Sequence, residues 1–285
     1  MDIEKLRADR PALIAHLRRV TAELRVDILE MLCESKSGHP GASLSSIDLI
    51  AALFYAKMRF RPEQPEWPDR DRFVLSKGHG VPALYAVLAH FGVIGREELK
   101  TLRKHGSRLQ GHPANRLCPG MEASTGSLGQ GLSVAQGLAL ASRLDGDRFR
   151  VYCMIGDGES QVGQIWEAAM SAPKFALDHL CVLADYNQGQ NDKLVREVMP
   201  TLEPAADKWR AFNWHVVEID GHDIAHILGA LDEAERTKGK PTLILARTIK
   251  GKGVSFMELN MKYHGVAPSP EETQRAIAEI RGRAS

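Results

Sequence analysis

The hydrophobic and polar positions along the chain follow helical spacing in some segments and strand-like runs in others. Apolar residues recur every three or four positions over residues 11–34, which predicts a long helix. Two continuously apolar segments, 151–155 and 180–184, are typical of buried strands, and residues 161–175 between them predict a helix. Strands connected through a helix in this way run parallel, so their carboxyl ends lie at one edge of a sheet.

The rest of the pattern extends this alternation of strands and helices. It predicts further helices at 45–55, 82–91, 96–105, 133–142 and 224–238, and further strands at 72–76, 214–219 and 242–246. We therefore expect an α/β fold, a parallel sheet flanked by helices on both faces. We expect a single domain over residues 1–285, with an N-terminal helical region at about 1–35 and a Gly-rich C-terminal tail at about 250–285.

Polar turns follow the two strands of the central unit. The first strand continues into Gly156, Asp157 and Gly158, and the second is followed by Asn187. Asp157 and Asn187 should converge at the sheet edge, where their oxygens suit Mg²⁺, and the glycines would let a diphosphate approach the backbone. The competing interpretation is that both residues only cap helices or turns, positions that Asp and Asn also favour.

Composition excludes several classes of function. The 285 residues carry a net charge of +1, with 44% hydrophobic and 26% charged residues, which gives no field suited to nucleic acid or to an anionic membrane. No apolar run reaches 18 residues, and the N-terminus has no signal-peptide pattern. The four cysteines form no CxxC pair, so we expect reduced residues in a cytoplasmic protein.

Seven short motifs occur in an order that resembles the thiamine-diphosphate half of transketolase over about residues 10–270. They are SGHPG at 37–41, SKGHG at 76–80, GHP at 111–113, STGSLGQG at 124–131, GDG at 156–158, GHD at 221–223 and TIKGKG at 248–253, followed by His264 and Gly265. The resemblance implies the thiamine-diphosphate-binding fold. It also implies thiamine diphosphate with Mg²⁺, or another divalent cation such as Ca²⁺ or Mn²⁺, as cofactors.

The length of the chain narrows the expectation further. A full transketolase continues for two more domains, so the resemblance implies the N-terminal subunit of a split transketolase. Its partner would be a C-terminal subunit that supplies the pyrimidine-binding domain, in an expected α2β2 assembly. Together they would transfer a two-carbon ketol unit from a ketose or ketose phosphate to an aldose or aldose phosphate. In the family, most contacts to the sugar phosphate come from the C-terminal half.

The resemblance also assigns roles to individual residues. The expected metal ligands are Asp157, Asn187 and the carbonyl of Gly189; the expected cofactor contacts are His79, Gly126, Leu128, Gly156, Asp157, Gly158, Asn187 and His264; and the expected catalytic residues are His39, His79, His112 and His264. Imidazoles suit proton transfer to sugar oxygens because they titrate near neutral pH.

Some assignments keep a second interpretation. Leu128 could be an ordinary core leucine. Glu167 matches a family glutamate at the subunit interface but could lie on a solvated helix face. Lys250, with Arg247 and Lys252, could attract phosphate or form a solvated basic patch.

One departure from the family leaves alternatives open. Val162 stands where the family usually has a glutamate of an acidic network between two active sites, and valine cannot relay a proton. Cofactor activation is then either rewired or impaired, and a non-catalytic binding homologue remains an alternative. Another is a different thiamine-diphosphate enzyme, similar to 1-deoxyxylulose-phosphate synthase or to a 2-oxo acid dehydrogenase subunit.

Overall fold

The computed structural model of the protein describes residues 3–146, 149–191 and 193–284. The α-helices are α1 (Ile3–Ala8), α2 (Arg10–Ser35), α3 (Pro40–Ala56), α4 (Val81–His90), α5 (Gln130–Asp145), α6 (Gly163–Lys174), α7 (Val195–Val198), α8 (Ala205–Ala211), α9 (Ile224–Arg236) and α10 (Pro270–Ala284). The strands are β1 (Arg72–Leu75), β2 (Val151–Gly156), β3 (Leu180–Tyr186), β4 (Gly189–Gln190), β5 (Lys193–Leu194), β6 (His215–Asp220) and β7 (Thr242–Arg247). Short 3₁₀ helices cover Gly78–Gly80, Arg96–Thr101, Glu159–Gln161, Pro200–Leu202 and Met261–His264.

Five strands form one parallel sheet in the order β1-β2-β3-β7-β6. The predicted unit of β2, α6 and β3 is confirmed, and β2 and β3 are direct neighbours, with Gly156 opposite Asp185. Asp157 and Asn187 therefore leave the sheet from adjacent strands at the same edge. Strands β4 and β5 form a separate two-residue antiparallel pair beside that edge.

Side chains along the strands alternate between the two faces of the sheet, and both faces are covered. On β2, Val151, Cys153 and Ile155 belong to one buried cluster, whereas Tyr152 and Met154 belong to the other. Helices α5, α6 and α8 cover the first face, and α2, α3, α4, α9 and α10 cover the second. Burial on both faces explains why these strands are continuously apolar in the sequence.

Several element boundaries differ from the sequence prediction. Helix α3 starts at Pro40 rather than near residue 45, because proline is well suited to the first helical turn. The helix predicted over 96–105 was wrong in its second half: only a 3₁₀ helix over Arg96–Thr101 forms, and Arg103 has a left-handed φ of 60°. The tail expected to be Gly-rich from about 250 to 285 contains α10, whose Ala276 and Ile280 pack into the core.

In the described part of the chain, no helix is both long and apolar enough to cross a membrane. The four cysteines are unpaired, and Cys118, Cys153 and Cys181 are buried. Cys153 and Cys181 lie in buried strands, as predicted, whereas Cys33 is only partly buried.

Candidate cofactor site

The turn after β2 places a carboxylate in a buried position at the sheet edge. Asp157 Oδ1 accepts a hydrogen bond from the backbone N–H of Gly158 (2.7 Å), and Oδ2 accepts one from the N–H of Gln188 (2.5 Å). The second bond joins the turn after β2 directly to the turn after β3. Burial and the nearby negative charge of Asp185 raise the pKa of Asp157 to about 7. A carboxylate in this environment would be stabilised by a cation.

The turn after β3 orients the carboxamide of Asn187. Its Nδ2 donates to Ser45 Oγ and to Asp185 Oδ2, both at 3.1 Å, and its Oδ1 accepts from the N–H of Gly189 (3.2 Å). Because the amide nitrogen is engaged on the buried side, the oxygen is directed away from Asp185. Asp157, Asn187 and Gly189 line one cavity, as the sequence predicted for convergent strand ends.

This cavity has a volume of about 200 Å³ and gathers most of the residues that the sequence singled out. It is lined by His39, Lys77, His79, Gly126, Leu128, Gly156, Asp157, Gly158, Glu159, Asn187, Gly189, Gln190, Asn191, Lys250 and His264. Leu128 is 38% exposed, so it is not an ordinary core leucine. The cavity opens at the carboxyl ends of the strands, where open parallel sheets usually bind ligands.

The four histidines predicted to be catalytic come together from four separate segments of the chain. The ring centroid of His39 lies 5.2 Å from that of His79, 5.4 Å from that of His264 and 6.5 Å from that of His112. His112 also packs on Gly126, whose φ is 144° and where a Cβ would lie only 3.0 Å from the imidazole. Gly126 is thus needed for this close approach.

Burial keeps these imidazoles neutral. It lowers the pKa of His39 and of His264 to about 4, with nearby positive charges adding to the effect, and it also lowers the pKa of His79 and His112. Within the described residues, the buried Nδ1 of His39 has no hydrogen-bond partner. Near neutral pH the four rings are therefore uncharged groups that can donate or accept a proton.

Two buried lysines add positive charge to the site. The sequence left the role of Lys250 open and did not single out Lys77. Lys250 is 1% exposed, and its Nζ donates to the carbonyl of Gly189 (3.0 Å) and to His264 Nδ1 (2.6 Å). Burial lowers the pKa of Lys250 to about 8. Lys77 is also 1% exposed and is paired with Asp185. Both lysines lie within glycine-rich motifs, SKGHG and TIKGKG. Their position in these motifs could have identified them as site residues from the sequence.

The other two basic residues considered with Lys250 lie elsewhere. Arg247 pairs with Glu203 near the surface, and Lys252 lies 3.6 Å from Glu258, so neither lines the cavity. Lys250 is buried in the cavity, so the alternative that it forms a solvated basic patch with Arg247 and Lys252 is wrong.

Asp185 and Glu159 are buried carboxylates that sequence reasoning missed. Asp185 accepts hydrogen bonds from Ser45, Thr248 and Asn187 in addition to its pairing with Lys77. Although burial raises its pKa, the charge of Lys77 outweighs this and lowers it below the usual range. Asp185 thus anchors the turn that carries Asn187.

Glu159 occupies the wall of the cavity close to Val162. It accepts hydrogen bonds from Ser76 Oγ (2.5 Å) and from the N–H groups of Gly129 (2.8 Å) and Gly156 (3.1 Å), and burial raises its pKa. The half-buried Val162 packs against Gly129, where a Cβ would lie 2.5 Å from Val162 Cγ1. Glu167 is exposed on α6. The side chain of Val162, where the family usually has a glutamate, thus makes an apolar contact with Gly129.

The residues present fit a divalent cation with a diphosphate. Among the described residues, no cluster of three or more His, Cys, Asp or Glu side chains could hold a metal. The predicted ligand set is of another kind, with one carboxylate, one carboxamide and one backbone carbonyl, all hard oxygen donors suited to Mg²⁺. A buried carboxylate with a raised pKa and two buried lysines match a cation and an anion bound side by side.

Comparison with known proteins identifies the family. The model of the transketolase thiamine diphosphate binding domain matches residues 16–282. The chain belongs to this transketolase family. The resemblance inferred from the motifs is confirmed.

Relatives of the transketolase family match at two different lengths. The chain is 49% identical over 252 residues to the 6-deoxy-6-sulfo-D-fructose transketolase subunit SqwG of Clostridium sp. (strain MSTE9), covering 88% of this chain and 91% of that protein. It is 41% identical over 259 residues to a subunit of the apulose-4-phosphate transketolase of Phocaeicola vulgatus, covering 91% and 92%. Both are named as subunits, and the prediction of a transketolase-type subunit is confirmed.

Longer transketolases match only in part. The solved transketolase of Leishmania mexicana aligns with a TM-score of 0.88 and 33% identity, covering 93% of this chain and 41% of that one. The chain also spans 42% of the transketolase-like protein 2 of Bos taurus, with 40% identity. The predicted thiamine-diphosphate-binding fold is confirmed.

Proposed function

We propose that this chain is the thiamine-diphosphate- and Mg²⁺-binding subunit of a two-subunit transketolase. It would act in the cytoplasm on carbohydrate, transferring a two-carbon ketol unit from a ketose donor to an aldose acceptor. The observation that carries the proposal is the single cavity that contains Asp157, Asn187 and three of the four predicted histidines, with the fourth ring against its wall. Family membership supports the reaction class.

Asp157, Asn187 and the carbonyl of Gly189 would bind Mg²⁺, and Ca²⁺ or Mn²⁺ could replace it. Lys250 would face the diphosphate, whereas the charge of Lys77 is already paired with Asp185. Gly156 and Gly158 would let the diphosphate approach the backbone, and Gly126, Leu128, His79 and His264 would also contact the cofactor. Thiamine diphosphate, when bound, supplies the nucleophilic carbon that cleaves and forms the bond beside the ketose carbonyl. The protein binds, orients and shields it.

His39, His79, His112 and His264 would hold and move protons at the sugar oxygens. Their lowered pKa values leave the rings neutral at pH 7, so one ring nitrogen can donate while the other accepts.

The names of the relatives suggest the substrate class. SqwG is named for a sulfonated ketose, and the Phocaeicola vulgatus relative is named for a sugar phosphate, apulose 4-phosphate. We infer a sugar donor with an anionic group far from the reacting carbonyl. A C-terminal subunit with the pyrimidine-binding domain would complete the site in an α2β2 complex.

The test is reconstitution. The purified chain should have no ketol-transfer activity with thiamine diphosphate and Mg²⁺, and addition of a C-terminal transketolase subunit should restore it. Donors to compare are 6-deoxy-6-sulfofructose, apulose 4-phosphate, fructose 6-phosphate and pyruvate. The variant Asp157→Asn should remain inactive, whereas the surface control His226→Asn should be fully active. Strong two-carbon transfer by the isolated chain, or turnover of pyruvate alone, would contradict the proposal.

A further inference from the structure

The GHD motif at 221–223 has no place in the cavity, yet its histidine makes two specific contacts. His222 Nδ1 lies 2.8 Å from Asp48 Oδ2, and its Nε2 lies 2.9 Å from the backbone N–H of Ile249. An N–H group can only donate, so Nε2 accepts and the ring proton is on Nδ1. The two contacts fix one neutral tautomer of the ring and link α3 to the segment that follows β7.

Asp48 is in turn held by a buried arginine. Arg25, on α2, donates two hydrogen bonds to its carboxylate, at 2.9 and 2.6 Å. Burial alone would raise the pKa of Asp48, but the charge of Arg25 and the hydrogen bond from His222 lower it well below its usual range. Arg25 Nε also donates to the carbonyl of Lys252 (3.2 Å). Two main-chain groups of the segment 248–253 are thus hydrogen-bonded to side chains: the N–H of Ile249 to His222 and the carbonyl of Lys252 to Arg25.

Glycines allow this close packing. A Cβ on Gly221 would lie 2.4 Å from Thr248 Cγ2, so the turn that carries His222 can approach the segment only with glycine there. Gly253 has a φ of 97°, and a Cβ there would lie 3.0 Å from the Arg25 side chain. The conformations of the GHD and TIKGKG motifs therefore depend on each other.

The opposite side of this segment faces the cofactor cavity. Lys250 N donates to the carbonyl of Asn187 (3.2 Å), and Lys250 Nζ reaches Gly189 and His264. A shift of the backbone at Ile249 would move the adjacent Lys250 ammonium. The contacts of His222 are therefore made to the backbone directly beside a buried lysine of the cavity.

We propose that Arg25, Asp48 and His222 form a positioning network that fixes the segment 248–253 so that Lys250 faces the diphosphate. This inference rests on the proposed function for the identity of the ligand. His222 does not touch the cavity, so it acts through the segment and is a positioning residue. Nε2 is the atom of His222 that would position Lys250, because it accepts the hydrogen bond from the N–H of the preceding residue, Ile249.

Two substitutions separate the two contacts of the ring. In His222→Asn the amide nitrogen takes the place of Nδ1, which keeps the donor to Asp48 and removes the acceptor for Ile249. In His222→Gln the amide oxygen takes the place of Nε2, which keeps that acceptor and loses the donor. His222→Gln loses the hydrogen bond to the charged Asp48, so it should be the less stable of the two variants. A purely structural role would therefore make His222→Gln at least as damaging as His222→Asn in every measurement.

The readout that needs no ligand is hydrogen exchange at the amide of Ile249 in the full chain. We expect exchange about tenfold faster in His222→Asn than in the wild type, and little change in His222→Gln. In the complex with the C-terminal subunit, the affinity for thiamine diphosphate with Mg²⁺ should fall about tenfold in His222→Asn only. His226→Asn, on the exposed side of α9, is the matched control.

Equal exchange at Ile249 in both variants, or equal loss of cofactor affinity, would overturn the positioning role. If His222→Asn does not fold, nitrogen NMR of the wild-type ring decides, because a proton on Nε2 contradicts the network and a proton on Nδ1 supports it. If the wild-type complex binds no thiamine diphosphate, the proposed function fails, while the exchange measurement still tests the network.

Discussion

Replacement of Asp157 by asparagine should stabilise the metal-free chain at alkaline pH while abolishing metal-dependent cofactor binding. The carboxyl has a pKa of about 7 in the folded chain, against 3.8 as its reference value. Its folded pKa is raised, so its contribution to stability is complete below pH 3.8 and is lost as the pH rises through about 7. The neutral carboxamide of the variant carries no charge and would show no such loss.

The size of the effect follows from the shift. A shift of about three pKa units corresponds to about 4 kcal/mol at high pH, of which about 2 kcal/mol is already lost at pH 5. The free energy of unfolding of Asp157→Asn relative to the wild type should therefore rise by roughly 2–3 kcal/mol between pH 5 and pH 8. The amide has one oxygen for the N–H groups of Gly158 and Gln188, a cost of about 1–3 kcal/mol that is equal at both pH values and cancels.

The assay is urea unfolding in EDTA at pH 5 and pH 8, with the exposed Asp69→Asn as control. Asp69→Asn controls for the removal of one exposed carboxylate from the chain. If the free energy of unfolding of Asp157→Asn relative to the wild type changes by less than about 0.5 kcal/mol between the two pH values, the reasoning is refuted. Such a result would mean that burial and Asp185 do not raise the pKa of the carboxyl. Stability gained without loss of Mg²⁺-dependent binding would refute its role as a ligand.

Three further predictions follow from the same site. Glu159→Gln leaves one acceptor oxygen for a serine hydroxyl and two backbone N–H groups, so the free energy of unfolding should fall by about 1–3 kcal/mol in urea titration, and an unchanged value would contradict the hydrogen-bond network. Val162→Glu places a carboxylate in apolar packing beside Gly129, so we expect about 1–3 kcal/mol lower stability and no gain in the rate of the reconstituted enzyme; a clear gain would show that the proton relay is impaired in the natural chain. Lys250→Met removes a buried cation and should weaken the affinity for thiamine diphosphate, measured by calorimetry, at least about tenfold. The control Lys252→Met should leave this affinity unchanged. Equal effects of the two substitutions would show that overall positive charge, and not the position of Lys250, attracts the diphosphate.

The sheet and its polar edge could be predicted because they depend on local sequence. Segments buried on both faces must be apolar along their length, and the chain must become polar where it leaves the sheet. This placed Asp157 and Asn187 correctly at neighbouring strand ends. The predicted end of this strand at residue 184 was wrong: β3 continues to Tyr186, because the polar Asp185 belongs to the strand and is paired with Lys77.

Only the tertiary structure decided which buried polar groups meet. Lys77 and Asp185 are 108 residues apart, and Asp48 and His222 are 174 residues apart. A burial pattern records that a segment is covered, but it does not record which distant side chain neutralises a charge within it. The sequence by itself therefore determined the strand order of the central unit and the residue types at its edge. The folded chain decided their electrostatics, since a buried charge is stable only with partners that three-dimensional packing brings to it.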